Sequence, residues 1–351
     1  MADKPRYFTV GKRAGHWWFI TPEGEPFFSI GMNHIDSSAL RYPDSGRVWW
    51  ETYGNSEKRW IQERVAPDLH DWGFNSIGWV QEVVTRKPGN HRHSRNFTFE
   101  EYGWADMPYC HLLPFTETHQ WEVETRHPDV FSEGFEEWCD FVARKECAVM
   151  AEDPRLIGYF YVDCPAWVHC QKNNPKGPWF DPATLESEAG REELARMAER
   201  YYKVTHDAIR RYDPHHLILG DRYEGKARLP DEILKAAMPY VDVLSFQHFS
   251  TPEEICPDFE RWHALTGKPV LLADACAPKR EAAGYAPMVR ALRALPCCVG
   301  WHVCGAYLRN RCRGHGFRDE RDELIEPLVS AAREANLETR QCVRDATDKE
   351  S

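Results

Sequence analysis

The chain has 351 residues, 42% of them hydrophobic and 28% charged, with a formal net charge of −11. This is the composition of a globular protein, and the acidic balance argues against a nucleic-acid face, which would need clustered Lys and Arg. No run of about 18 apolar residues occurs, so no membrane span is expected, and the opening MADKPRYFTVGKRAG lacks the apolar core of a leader.

In chain order, a β-hairpin is expected over about 7–25, around the turn Thr21-Pro22-Glu23-Gly24. Eight short apolar runs follow. They are Phe27 to Asn33, Gly73 to Trp79, Tyr109 to Leu113, Leu156 to Val162, Leu217 to Gly220, Val241 to Phe246, Pro269 to Ala273, and Cys298 to Val303. Amphipathic stretches lie between them, at Glu57 to Trp72, Phe131 to Ala151 and Glu192 to Tyr212, and a last one covers Glu323 to Asn336. The polar residues from 341 to 351 predict a frayed tail.

Eight strands alternating with helices predict an α/β protein of the (β/α)₈ TIM-barrel class, as one domain over 1–351 with long loops after strands 1, 2 and 4. An open dinucleotide-binding sheet would want a GxGxxG turn after an early strand, and none is present. Active sites of such barrels sit on the loops at the C-terminal ends of the strands, so residues just past each strand are the candidates.

The composition adds two points. Twelve Cys scattered over a long chain read as reduced thiols rather than a disulfide framework. A cytoplasmic location is expected on this basis, or a secreted or periplasmic one had a leader been removed. The 14 Trp and 14 Tyr suit either sugar stacking or the filling of a large core.

The strand ends resemble those of clan-A glycoside hydrolases, and most of all the β-agarase family. The likeness runs through Trp17 to Gly24 and Pro26 to His34, then Trp72 to Gly78, His127 to Phe131 and Asp153 to Phe160. It continues through Tyr212 to Gly220, Arg222, and Lys268 to Leu272. The resemblance implies a barrel acting on a poly- or oligosaccharide, with an Asn-Glu pair after strand 4 and a Glu nucleophile ending strand 7. This chain departs from that pattern. Val162-Asp163-Cys164-Pro165 stands at the first position and Ala273-Asp274-Ala275-Cys276 at the second.

Three chemistries fit what remains. In the first, Asp163 and Asp274 hydrolyse a glycosidic bond. Because Asp is one methylene shorter than Glu, the pair leans toward the wider separation of an inverting enzyme. In the second, a lyase acts by β-elimination on a uronate-containing glycan, with His248 as base, Arg222 clamping the carboxylate, and Tyr223, Tyr307 or His302 supplying a proton. In the third, Cys164, Cys276 and Cys304 hold Zn²⁺ or furnish a nucleophile; no CxxC spacing accompanies them. Outside enzymes, an inactive carbohydrate-binding barrel fits the same residues.

Asn33, His34, Asp36, Trp167, Tyr223, Trp301, His302 and Tyr307 are candidate sugar contacts, and Trp301 resembles the platform Trp of clan-A barrels. Trp79 and Trp179 are further candidate walls, and His91-Arg92-His93 reads as a solvated polar run. No cofactor is expected outside the zinc alternative, and no nucleic-acid or membrane partner. The sequence carries no sign of oligomeric state.

Overall fold

A computed structural model describes residues 6–87, 90–116, 128–165, 167–168 and 183–348. Eight parallel strands close into a barrel in chain order. The first four are Ser29–Met32, Ser76–Ile77, Tyr109–Leu112 and Leu156–Asp163. The last four are Leu217–Glu224, Leu244–Gln247, Val270–Ala275 and Cys298–Val303. The eighth pairs back onto the first through His302 and Gly31. This is the expected TIM barrel. Near-continuous burial of these strands follows from having side chains inside the barrel and helices outside it.

Strand limits differ from the periodicity where side chains compete with the ladder. The second strand shrinks to two residues because the Asn75 amide takes over backbone bonding. It accepts from Ile30 N at 2.7 Å and donates to the Phe28 carbonyl at 2.9 Å. The fifth strand runs four residues beyond Gly220, and each of the fourth and fifth strands carries an irregularity where they pair. Gly220 sits at φ 65, and a Cβ there would meet Val241 at 2.9 Å.

The expected hairpin is a three-stranded antiparallel sheet, Thr9–Arg13, His16–Ile20 and Pro26–Phe27. Its first turn uses Ala14 and Gly15, both at positive φ, as a two-residue hairpin requires. Phe8 and Phe19 join the barrel's inner apolar cluster with Leu219, Val243 and Val299, and Trp17 N–H donates to Pro296 O. The sheet thus closes the N-terminal end of the barrel.

The helices start at caps visible in the sequence. Ser132 caps Glu133–Met150 and Ser187 caps Glu188–Tyr212. The stretch from Glu57 to Asp71 is interrupted by a π turn over Ile61–Val65, ahead of Pro67, which has no N–H to give. The last helix is Glu326–Asp348, so residues 341–348 of the stretch expected to fray continue it, and 349–351 lie outside the described residues. Its apolar face packs Val329, Ala332 and Ala335 into the core. No helix among the described residues is long and apolar enough to cross a membrane.

Candidate active site at the barrel mouth

The C-terminal strand ends surround a cavity of about 330 Å³. Its walls include His34, Asp163, Gln247, Asp274 and Cys304 from strand ends, and Arg86, His93, Arg280 and Arg313 from the loops above.

Asp274, ending the seventh strand, is the most heavily supported group. Asn33 Nδ2 donates to its Oδ1 at 2.8 Å and to the Ala273 carbonyl at 2.8 Å. Asn33 Oδ1 accepts from Trp79 N–H at 2.7 Å, so one amide fixes three strand ends. His34 Nε2 lies 3.5 Å from Asp274 Oδ1, while its Nδ1 meets the Gln81 carbonyl. The carbonyl accepts, so Nδ1 carries a proton. His34 holds φ 60, a conformation rare for a side-chain-bearing residue, and this kind of strain collects at functional sites.

Arg222 joins the two candidate carboxyls. It is fully buried, its Nε donates to Asp163 Oδ1 at 2.7 Å, and its Nη2 lies 3.7 Å from Asp274 Oδ2. Among the described residues neither Nη atom has a hydrogen-bond partner, and the guanidinium lies 4.1 Å over the Trp79 ring. Burial would push the Asp274 carboxyl up, but the Arg222 charge and then His34 outweigh it and hold it far below the usual range. His302 lies beneath, its Nε2 2.8 Å from Ser29 Oγ. Burial, and then Arg222, push it down to about 3, so it stays neutral.

Sequence reasoning missed the loop arginines. Arg313 Nε pairs with buried Glu82, and its Nη1 donates to Cys304 Sγ at 3.1 Å. The signal was the cation-rich run Arg309-Asn310-Arg311-Cys312-Arg313-Gly314-His315-Gly316 past the eighth strand. His93, read as part of a solvated run, instead lines the cavity from a hairpin of Val83–Lys87 and Asn90–His93.

Asn33, His34, Asp163, Arg222, Asp274 and His302 thus converge, as the strand ends implied. Others turn elsewhere. Tyr223 faces outward, its hydroxyl 2.5 Å from Tyr202 Oη, because neighbours on a strand point to opposite faces. Trp167 packs on Tyr201 and Tyr202 behind the barrel wall, and Trp301 packs on Tyr285 of the helix Tyr285–Ala294. Tyr307 donates to Asp68 and stacks on Trp72. The His248 ring meets Asp258 at 2.9 Å and lies beside Trp262, both on the helix Pro252–Thr266. Asp36 closes a local turn by accepting from Ser38 N–H at 2.9 Å. Trp179 and His127 lie outside the described residues.

The thiol triad of the third alternative does not assemble among the described residues. Cys276 and Cys304 both border a second cavity of about 270 Å³, but Cys164 Sγ lies 3.5 Å from Asp163 Oδ1, and the group with ligand atoms close together is a different one. Among the described residues, the group able to share a metal ion is His34, Asp274 and Cys304, with ligand atoms within 4.8 Å of one another. Arg313 on the Cys304 sulfur and Arg222 beside Asp274 place cations against two of these three, which opposes a divalent ion. Burial also pushes the Cys304 thiol up to about 12, away from the thiolate a metal needs.

Neither a protein-family model nor a curated protein sequence matches the chain. Solved structures do match over nearly its whole length. The agarase AgWH50C superposes with a TM-score of 0.72 at 17% identity, covering 95% of this chain and 63% of that one. PfGH50B gives 0.74 at 15% identity, covering 96% and 66%. A GH2 β-galacturonidase from Eisenbergiella tayi, bound to galacturonate, gives 0.57 at 11% identity, covering 94% and 54%. The chain therefore spans about two thirds or less of these proteins, and what they share with it is the barrel.

Proposed function

We propose that the protein hydrolyses glycosidic bonds of a poly- or oligosaccharide at the barrel mouth, with Asp274 and Asp163 as the working carboxyls. The observation that carries this reading is the buried Asp274, held ionised by Arg222 and His34 on the wall of a cavity that Asp163 also lines. The likeness of the barrel to agarases supports it. Asp274 removes a proton from water as the water oxygen attacks the anomeric carbon. Asp163, whose Oδ1 accepts from Arg222, takes up a proton from solvent at Oδ2 and passes it to the departing oxygen, and Asp274 returns the water proton to solvent. Arg222 keeps both carboxyls in register, and Asn33 fixes the direction of Asp274.

β-Elimination with His248 as base has less support, because that ring is committed to Asp258 and does not line the cavity. The test is incubation with neutral and uronic polysaccharides, recording new reducing ends together with the ultraviolet absorbance of unsaturated uronate. New reducing ends without absorbance are expected. Asp274→Asn should lower kcat by about 10³-fold or more, and Asp163→Asn should also impair it, as expected for two carboxyls working in one step. Full activity of Asp274→Asn, or absorbance lost in His248→Ala, would overturn the reading.

A further inference from the structure

The chain as a whole is acidic, yet the cavity wall is not. Arg86, Arg280 and Arg313 line it, with Arg222 buried at its base. Asp163 and Asp274 share Arg222 and Glu82 faces Arg313, so the four arginines outnumber these three acids. Arg280 and Arg86 have no carboxylate partner among the described residues. Arg280 Nη1 instead meets neutral acceptors, His315 Nε2 at 2.6 Å and the Cys304 carbonyl at 3.4 Å.

His315 cannot cancel that charge. Its Nδ1 donates to the Arg313 carbonyl at 2.8 Å, which leaves Nε2 as an acceptor. Burial, and then Arg280, hold it neutral down to about pH 4. The backbone also works to place Arg280. Lys279 and Arg280 stand at φ 54 and 60, two successive side-chain-bearing residues in the left-handed region. Such strain persists only where surrounding structure imposes it.

We propose that this cavity receives a glycan bearing an anionic group, a carboxylate or a sulfate ester, seated against Arg280 and Arg86. The inference rests on reading the cavity as a glycan site. Guanidinium groups bind both kinds of oxyanion through paired N–H donors. A neutral sugar filling the same space would strip water from two arginines and return no charge to them.

The test is calorimetric titration of the full chain at low ionic strength. The probes are oligogalacturonate and κ-carrageenan oligosaccharides, each beside its carboxyl-reduced or desulfated counterpart. At least one anionic probe should bind ten times or more tighter than its neutral counterpart, and added salt should erode the difference. Arg86→Gln/Arg280→Gln should bring charged and neutral affinities together. The preferred probe identifies the acid group. Equal or tighter binding of the neutral forms overturns the inference while leaving the glycan site standing. A charge preference that survives the double substitution overturns the assignment to these arginines. No binding by any glycan overturns the underlying reading as well.

Discussion

Asp221 and Asp274 are both buried, on strands two apart in the barrel, and their carboxyls are shifted in opposite directions. Asp221 faces the helices and accepts from Tyr201 and Tyr202 hydroxyls at 2.9 and 2.6 Å. Burial outweighs these neutral donors and pushes its carboxyl up to about 7. Asp274 faces the mouth, where the Arg222 guanidinium overrides the same burial. Depth therefore does not decide ionisation here; a cation does. The barrel wall separates a layer of neutral hydrogen bonds behind it from a mouth where charge is kept.

Removing that cation should do the most to erase the contrast. Arg222→Met leaves Asp163 and Asp274 buried together without counter-charge. A loss of about 3–5 kcal/mol in stability is expected from breaking a buried ion pair, with activity down 100-fold or more. Denaturant unfolding and steady-state kinetics would measure both, and a variant as stable and active as the parent would refute the role given to Arg222.

Asp221→Asn sharpens the other side. A carboxyl raised in the folded state contributes stability that is full below its unfolded pKa of about 4 and is lost as pH rises through the folded value near 7. Between those limits the parent should lose up to about 4 kcal/mol relative to Asp221→Asn. Asp274 runs the opposite way, since its depressed carboxyl contributes stability above pH 4 that is lost as pH falls. Parallel stability curves for parent and Asp221→Asn would break the comparison.

The smallest effect is expected for Tyr223→Phe. It removes one buried hydrogen bond behind the wall, at about 1 kcal/mol, and leaves kcat unchanged. A large fall in kcat would return Tyr223 to the site.

The barrel was legible because eight apolar runs alternate with amphipathic stretches, and the run from Cys298 to Val303 is a strand at those limits. Asp163 and Asp274 were legible from the family pattern at their strand ends. The facing of individual side chains was not. Tyr223 and Trp301 each alternate with an inward neighbour, Arg222 and His302, and so turn toward helices, while His248 lies just past its strand against Asp258. The arginines at 86, 280 and 313 sit on a short hairpin, a single helical turn and a loop between the barrel elements, whose paths no periodicity records. The tail read as frayed from its polarity, yet a helix with one apolar stripe needs few apolar residues to dock.

Gly220 bears on how such a site can change. A strand reads like a message with two alternating frames, and the irregular pairing around Gly220 sets the frame for Asp221, Arg222 and Tyr223. Slipped by one place, the same three letters would show Asp221 and Tyr223 to the cavity and send Arg222 to the helices. The mouth would then change sign with no side chain replaced. Gain or loss of one residue here rewrites the chemistry more thoroughly than most substitutions could.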